Sequence, residues 1–145
     1  MSDYDLNRFV AAQNHNFDRA LTEVKAGRKR GHWIWFIFPQ LTGLGHSFSS
    51  AFYGIEGLDE ARAYLANKTL SDNLVTIAKA LTELKGKDIY KIFRTPDDLK
   101  VCSSMTLFYH AADDEEKKAV FKAVIDKYYK GKFDPLTEKM LGIDN

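Results

Sequence analysis

Two clusters in this chain pair residue types that can do chemistry. The first runs from Lys25 to Tyr53. Lys25, Arg28, Lys29 and Arg30 lead directly into His32, Trp33, Trp35, Phe36 and Phe38, with Gln40, Ser47 and Tyr53 following. Cationic side chains beside aromatic rings can hold a phosphate while the rings stack on a base, and the Gln40 amide after Pro39 can read a hydrogen-bonding edge. The same order of residues also describes a solvated helix end followed by core aromatics, with Gln40 satisfying nearby backbone groups. The second cluster is Asp98, Lys100, Ser103 and Ser104. Spacings of three and four place Lys100, Ser103 and Ser104 on one side of a helix. Polar groups on a buried helix need partners. A bound ligand is one source, and each hydroxyl bonding to a carbonyl one turn earlier is the other. Neither serine has a base placed beside it by sequence.

The familiar catalytic signatures are absent: there is no Walker A loop, GxSxG elbow, HExxH or CxxC. Gly43-Leu44-Gly45 is a bare GxG with no preceding strand, so it reads as a turn. His15, His32, His46 and His110 lack metal-ligand spacing, so neither a metal nor a cofactor is expected. The lone Cys102 excludes an internal disulfide framework and fits a reducing compartment. Charge is balanced, 21 basic against 20 acidic residues for a net +1. No global field draws such a chain to nucleic acid or an anionic membrane, and only a local patch could do so. The start lacks the basic and apolar regions of a signal peptide. The longest apolar run, from Trp33 to Pro39, falls far short of the roughly 20 residues that span a bilayer. The expected location is cytoplasmic; the oligomeric state is open.

The elements that must position these clusters are helical. With 145 residues and no Pro-rich or Gly/Ser-rich linker, residues 1–145 are expected to form one domain. Leu70, Leu74, Ile77, Ala78, Leu81 and Leu84 share one helical face, with Thr69 and Asp72 as an expected capping pair and Gly86 at the exit. A second helix carries Phe17, Leu21 and Val24 and ends at Gly27. A third begins at Thr95-Pro96-Asp97-Asp98, with Thr95 as cap and the two acids at the positive end of the dipole. Its Leu99, Val101, Cys102, Met105, Leu107, Phe108 and Tyr109 lie nearly all round it, which marks it as central and buried. A fourth follows Asp113 and Asp114, and shorter helices are expected at 58–65, 89–93 and 135–141. By propensity, His32–Phe38 would be a strand. No second strand is available to pair with it, so a short buried helix stopped by Pro39 is expected. The expected fold class is all-α: a compact single domain of short helices around a central buried helix.

Taken in order, these segments resemble a known family. GRKRGHWIWFIFPQLTGLGHS, YGI at Tyr53–Ile55, EARAYLAN at Glu60–Asn67 and DDLKVCSSMTLF at Asp97–Phe108 are similar to the bacterial family called domain of unknown function 1810, some of whose members carry the label calpastatin. The likeness runs from Leu6-Asn7-Arg8-Phe9 to Asp134-Pro135-Leu136-Thr137. Asn67-Lys68-Thr69-Leu70-Ser71 departs from it, standing where relatives show a Pro and a Leu-Gly pair. The resemblance implies a compact, mostly helical domain and implies no activity. Beside it, the residues point to a pocket for a small phosphate-bearing or nucleotide-like metabolite. Arg30 and Lys100 would give charge, Trp33 and Trp35 stacking surface, and Gln40 and the serines direction, with His32, Ser47, Tyr53 and Asp98 as further polar members. The competing readings are a protein-interaction module anchored by exposed aromatics, an RNA or DNA accessory domain using Lys25–Arg30, and an N-glycosidase acting on nucleotide derivatives, with a carboxylate such as Asp98 near the scissile bond.

Overall fold

The computed structural model describes residues 4–143, which form nine helices. These are α1 (Asn7–Lys25), α2 (Ile34–Ile37), α3 (Phe48–Phe52), α4 (Leu58–Ala66), α5 (Lys68–Glu83), α6 (Ile89–Phe93), α7 (Asp97–Ala111), α8 (Glu115–Tyr128) and α9 (Pro135–Met140). The apolar residues of α7 point in all directions, and it is accordingly walled in by α8, α4, α6, α9 and α2. Val101, Met105, Leu107 and Phe108 are fully buried within one continuous core. The aromatic run does form a short helix, α2. Pro39 disfavours helical backbone at the residue before it, and Phe38 ends α2 at φ −122°, ψ 73°.

Several boundaries differ from the sequence expectation for local reasons. Helix α1 begins at Asn7, two turns and more before Phe17. Its inward face carries Phe9, Gln13, Ala20, Glu23 and Val24, so two polar residues interrupt the apolar period. The Thr69–Asp72 capping pair does not form. Asn67 caps α5 instead, its Oδ1 accepting from the Leu70 N–H at 3.1 Å, and Asp72 pairs with Lys68 at 2.8 Å. Asn67 is also where α4 ends, so the departure from the family string falls at a helix junction. At α7, Pro96 rather than Thr95 takes the N-cap position, with no side-chain cap. Asp114 and Asp134 cap α8 and α9. Gly27 takes the left-handed φ of +78° that L side chains resist, letting the chain leave α1 and run back towards α2.

Two buried polar side chains fasten the layers. Gln13 Nε2 donates to the Phe36 carbonyl at 2.7 Å and to the Tyr64 hydroxyl at 3.0 Å, and its Oε1 accepts from Asn73 at 2.9 Å. That one amide joins α1 to α2, α4 and α5. Glu23 Oε1 accepts from the backbone N–H groups of Arg30 (2.8 Å) and Gly31 (2.9 Å) and from Trp33 Nε1 (2.8 Å), while Oε2 accepts from Arg19 at 3.1 Å. Burial alone would raise this carboxyl. The donors from Gly31, Arg30, Trp33 and Arg19 outweigh it and hold Glu23 at about 2 against an ordinary 4.5.

Candidate functional site

A loop between α2 and α4 builds one wall of the site. Leu41 and Ile55 form an isolated parallel bridge. The Thr42 N–H donates to the Ile55 carbonyl and the Ile55 N–H to the Gln40 carbonyl, both at 2.9 Å. Residues 42–54 therefore leave and return at one point, as compact surface loops do. Within the loop, Ser47 caps α3, its Oγ accepting from the Ser50 N–H at 3.0 Å. Gly45 lies so close to Ser50 that a Cβ there would fall 2.3 Å from the Ser50 Oγ. Only glycine lets the loop fold this tightly against Ser50.

Under this loop lies a narrow cleft lined by Trp35, Phe38 and Gln40 from the α2 region, Ser50 and Tyr53 from the loop, and Lys100 from the first turns of α7. The cavity measures about 10 Å³, roughly the space one water needs. Its polar groups are poorly matched by the protein. Trp35 Nε1 is buried with no hydrogen-bond partner among the described residues. Lys100 Nζ stands 5.4 Å from the Trp35 ring centroid and 3.7 Å from Asp97 Oδ1. Asp97 Oδ2 is held at 2.8 Å by Lys29, whose own ammonium also faces the Trp33 ring at 5.1 Å. The result is a Lys29–Asp97–Lys100 chain of alternating charge along the start of α7, with one positive charge in excess.

Four of the eleven residues singled out by sequence meet in this cleft: Trp35, Gln40, Tyr53 and Lys100. The others lie elsewhere. Trp33 is only 2% exposed, donates to Glu23 and packs edge-on against Phe93 and tilted against Phe38. Arg30 and His32 are exposed on the connection between α1 and α2, and Ser47 is the exposed cap of α3. Asp98 Oδ1 accepts from the Leu99 N–H, next along its own chain. The Ser103 Oγ reaches the Leu99 carbonyl (3.2 Å) and Asp134 Oδ2 (3.1 Å), on the side of α7 that meets α9. Ser104 is fully buried, its hydroxyl without a partner among the described residues, one turn further along α7 from Lys100, and it does not line the cleft. Sequence reasoning passed over Ser50 and Phe38 as lining residues, and the Lys29–Asp97 pair. Ser50 could have been flagged by its place in a Gly- and Ser-rich loop after Gln40. Nothing local signals a pairing between residues so distant in sequence.

Other groups make poor catalytic candidates. Burial, reinforced by the Asp134 carboxylate, pushes the Cys102 thiol up to about 12, so it stays protonated at neutral pH. Among the described residues no group of three or more His, Cys, Asp or Glu could hold a metal ion, and no helix is long and apolar enough to cross a membrane.

The fold has a near match. The chain superimposes with a TM-score of 0.92 on the crystal structure of the conserved hypothetical protein Rv1873 from Mycobacterium tuberculosis, at 45% identity over 99% of this chain and 100% of that one. No curated protein matches the chain. A family model described as "Protein of unknown function (DUF1810)" matches residues 3–141. With that match across nearly its whole length, and a relative this similar, the chain belongs to the bacterial DUF1810 family.

Proposed function

We propose that this protein binds a small phosphate-bearing or nucleotide-like metabolite at the cleft between Trp35 and Lys100. The observation that carries the reading is the buried, unpartnered Trp35 Nε1 beside the Lys100 ammonium. An unmatched buried donor costs about 1–3 kcal/mol, and a ligand acceptor recovers that. Indole and ammonium groups only donate, so their complement is an acceptor-rich oxyanion, while the Gln40 amide and the Tyr53 hydroxyl can discriminate among what is attached to it. The cleft is too small for a whole nucleotide. The terminal phosphate of a ligand would enter, and the 42–54 loop, which brings Ser50 and Tyr53, would swing outward about its bridged ends. Binding is favoured over N-glycoside hydrolysis because none of the described residues lining the cleft is a carboxylate. Asp97 is held between two lysines, and Asp98 faces its own helix start.

The test is a thermal-shift screen of inorganic phosphate, nucleotides, sugar phosphates and ADP-ribose. A ligand present at 100 times its dissociation constant should stabilise the wild type by about 2.7 kcal/mol. Gln40→Ala and Lys100→Ala should keep melting temperatures within about 5 °C of wild type, since both side chains line the cleft and the Lys100–Asp97 ion pair is long at 3.7 Å. Both should lose the ligand-induced shift. If no compound stabilises the wild type, or both variants keep the full shift, the reading fails.

A further inference from the structure

A second surface, on the far side of the same loop, presents apolar rings to solvent. Phe48 is 82% exposed and Phe52 47% exposed, and the two rings stack with centroids 5.8 Å apart and planes 18° from parallel. A single exposed apolar side chain needs no explanation. Two aromatics stacked side by side on one short helix, with one of them forming the lip of a cavity, are a different arrangement. Phe52 lines a cavity of about 470 Å³ between the start of α1, the loop and the start of α4. Its charged walls are Asp5, Glu56, Glu60 and Arg8. Arg8 is fully engaged: Nε donates to the Phe52 carbonyl at 2.8 Å, Nη1 to the Asp5 carbonyl, and Nη2 to the Gly54 carbonyl at 3.0 Å and to Glu60 at 2.9 Å. Glu60 is buried, bound to Arg8 and to the Glu56 N–H. Asp5 and Glu56 stay exposed, and among the described residues neither carboxylate forms an ion pair. The cavity therefore carries two uncompensated negative charges at the edge of an aromatic shelf.

We infer that the Phe48–Phe52 shelf and the acidic cavity beside it form one docking surface for a protein segment that carries an arginine or lysine next to a leucine or phenylalanine. The apolar residue of the partner lies on the Phe48 and Phe52 rings, and its cationic neighbour enters the cavity towards Asp5 and Glu56. A cation there can also lie over the face of the Phe52 ring, a contact that favours guanidinium over ammonium. Aromatic anchors flanked by charge are the usual centres of small peptide interfaces, and the two exposed carboxylates supply sign selectivity. The surface shares no lining residue with the Trp35–Lys100 cleft, but Phe52 packs edge-on against Tyr53 of that cleft at 4.8 Å, so peptide binding is measured on the protein without added metabolite.

The test uses the full chain and a fluorescent peptide array. Peptides of about 12 residues contain one Arg or Lys beside Leu or Phe, with matched peptides in which the base becomes Glu or the apolar residue becomes Ser. Arg- and Lys-bearing peptides should bind in the micromolar range, weaken as salt is raised, and lose about tenfold or more when either half of the motif is replaced. Phe52→Ala and Phe48→Ala should each weaken binding about tenfold, and the double variant Asp5→Asn/Glu56→Gln should do the same and remove most of the salt dependence. All four positions are exposed, so circular dichroism and melting temperature should match wild type. Absence of binding at about 1 mM peptide, preference for the Glu-bearing peptides, or affinity indifferent to Phe52→Ala overturns the inference. Light scattering that shows a dimer of this chain which Phe48→Ala and Phe52→Ala convert to monomer overturns it as well.

Discussion

Glu23→Ala should destabilise the fold by about 3–5 kcal/mol and lower the melting temperature by on the order of 10–20 °C. The carboxylate is only 8% exposed and gathers the Arg30 and Gly31 N–H groups and the Trp33 indole N–H on one oxygen. Truncation strands these buried donors together, and each stranded donor costs about 1–3 kcal/mol. The same carboxylate makes stability depend on pH. Its folded value of about 2 lies below its ordinary 4.5, so its contribution is complete above about pH 4.5 and is lost as pH falls through the folded value. That contribution is on the order of 3 kcal/mol. Denaturant midpoints measured between pH 6 and pH 2 should fall in the wild type, and Glu23→Gln should flatten that part of the profile. A Glu23→Ala variant that melts within about 3 °C of wild type would show that the connection between α1 and α2 is held by something else.

Trp33→Ala should cost about 3–5 kcal/mol and leave little folded protein at 37 °C if the wild type is marginally stable. The indole fills space between Phe38 and Phe93 and donates to Glu23 Oε1, so truncation opens a cavity and strands part of the carboxylate network at once. Trp33→Phe separates the two effects: it keeps most of the packing and removes only the N–H. It should fall well short of the alanine variant. Because Trp33 and Glu23 share one network, the double variant Glu23→Ala/Trp33→Ala should be less destabilised than the sum of the single changes. Trp35→Ala is the contrast two residues away. Trp35 is partly exposed and its indole N–H has no hydrogen-bond partner among the described residues, so its loss should cost the fold far less.

That contrast marks the boundary of what the sequence shows. Trp33 and Trp35 have the same side chain in the same aromatic run, and both could be assigned stacking roles. Two residues of backbone at the start of α2, roughly half a helical turn, send Trp33 into the core and leave Trp35 at the cleft. Helix α7 was legible because its start is marked by Pro96, Asp97 and Asp98 and its apolar residues surround it. Helix α1 was only partly legible: Gln13 in its first half and Glu23 in its last turn occupy inward positions where a 3.6-residue period expects apolar side chains. Both are buried only because partners from other elements satisfy them, and those partners are set by tertiary structure. The site was legible in part for the same reason. Residue type pointed to Trp35, Gln40, Tyr53 and Lys100, whereas Lys29, Asp97 and Ser50 gain their roles from neighbours that only the fold supplies.

The two indole N–H groups give the most direct test of metabolite binding at the cleft. The chain has two tryptophans, so a 15N-labelled sample should show two indole cross-peaks, assigned by losing one in Trp35→Phe. Titration with inorganic phosphate, nucleoside monophosphates and ADP-ribose should move the Trp35 signal downfield and saturate with at least one of them, as its unpartnered N–H acquires an oxyanion acceptor. The Trp33 signal, already committed to Glu23, should stay in place. A Trp35 resonance that stays fixed to millimolar concentrations of every compound would contradict the account.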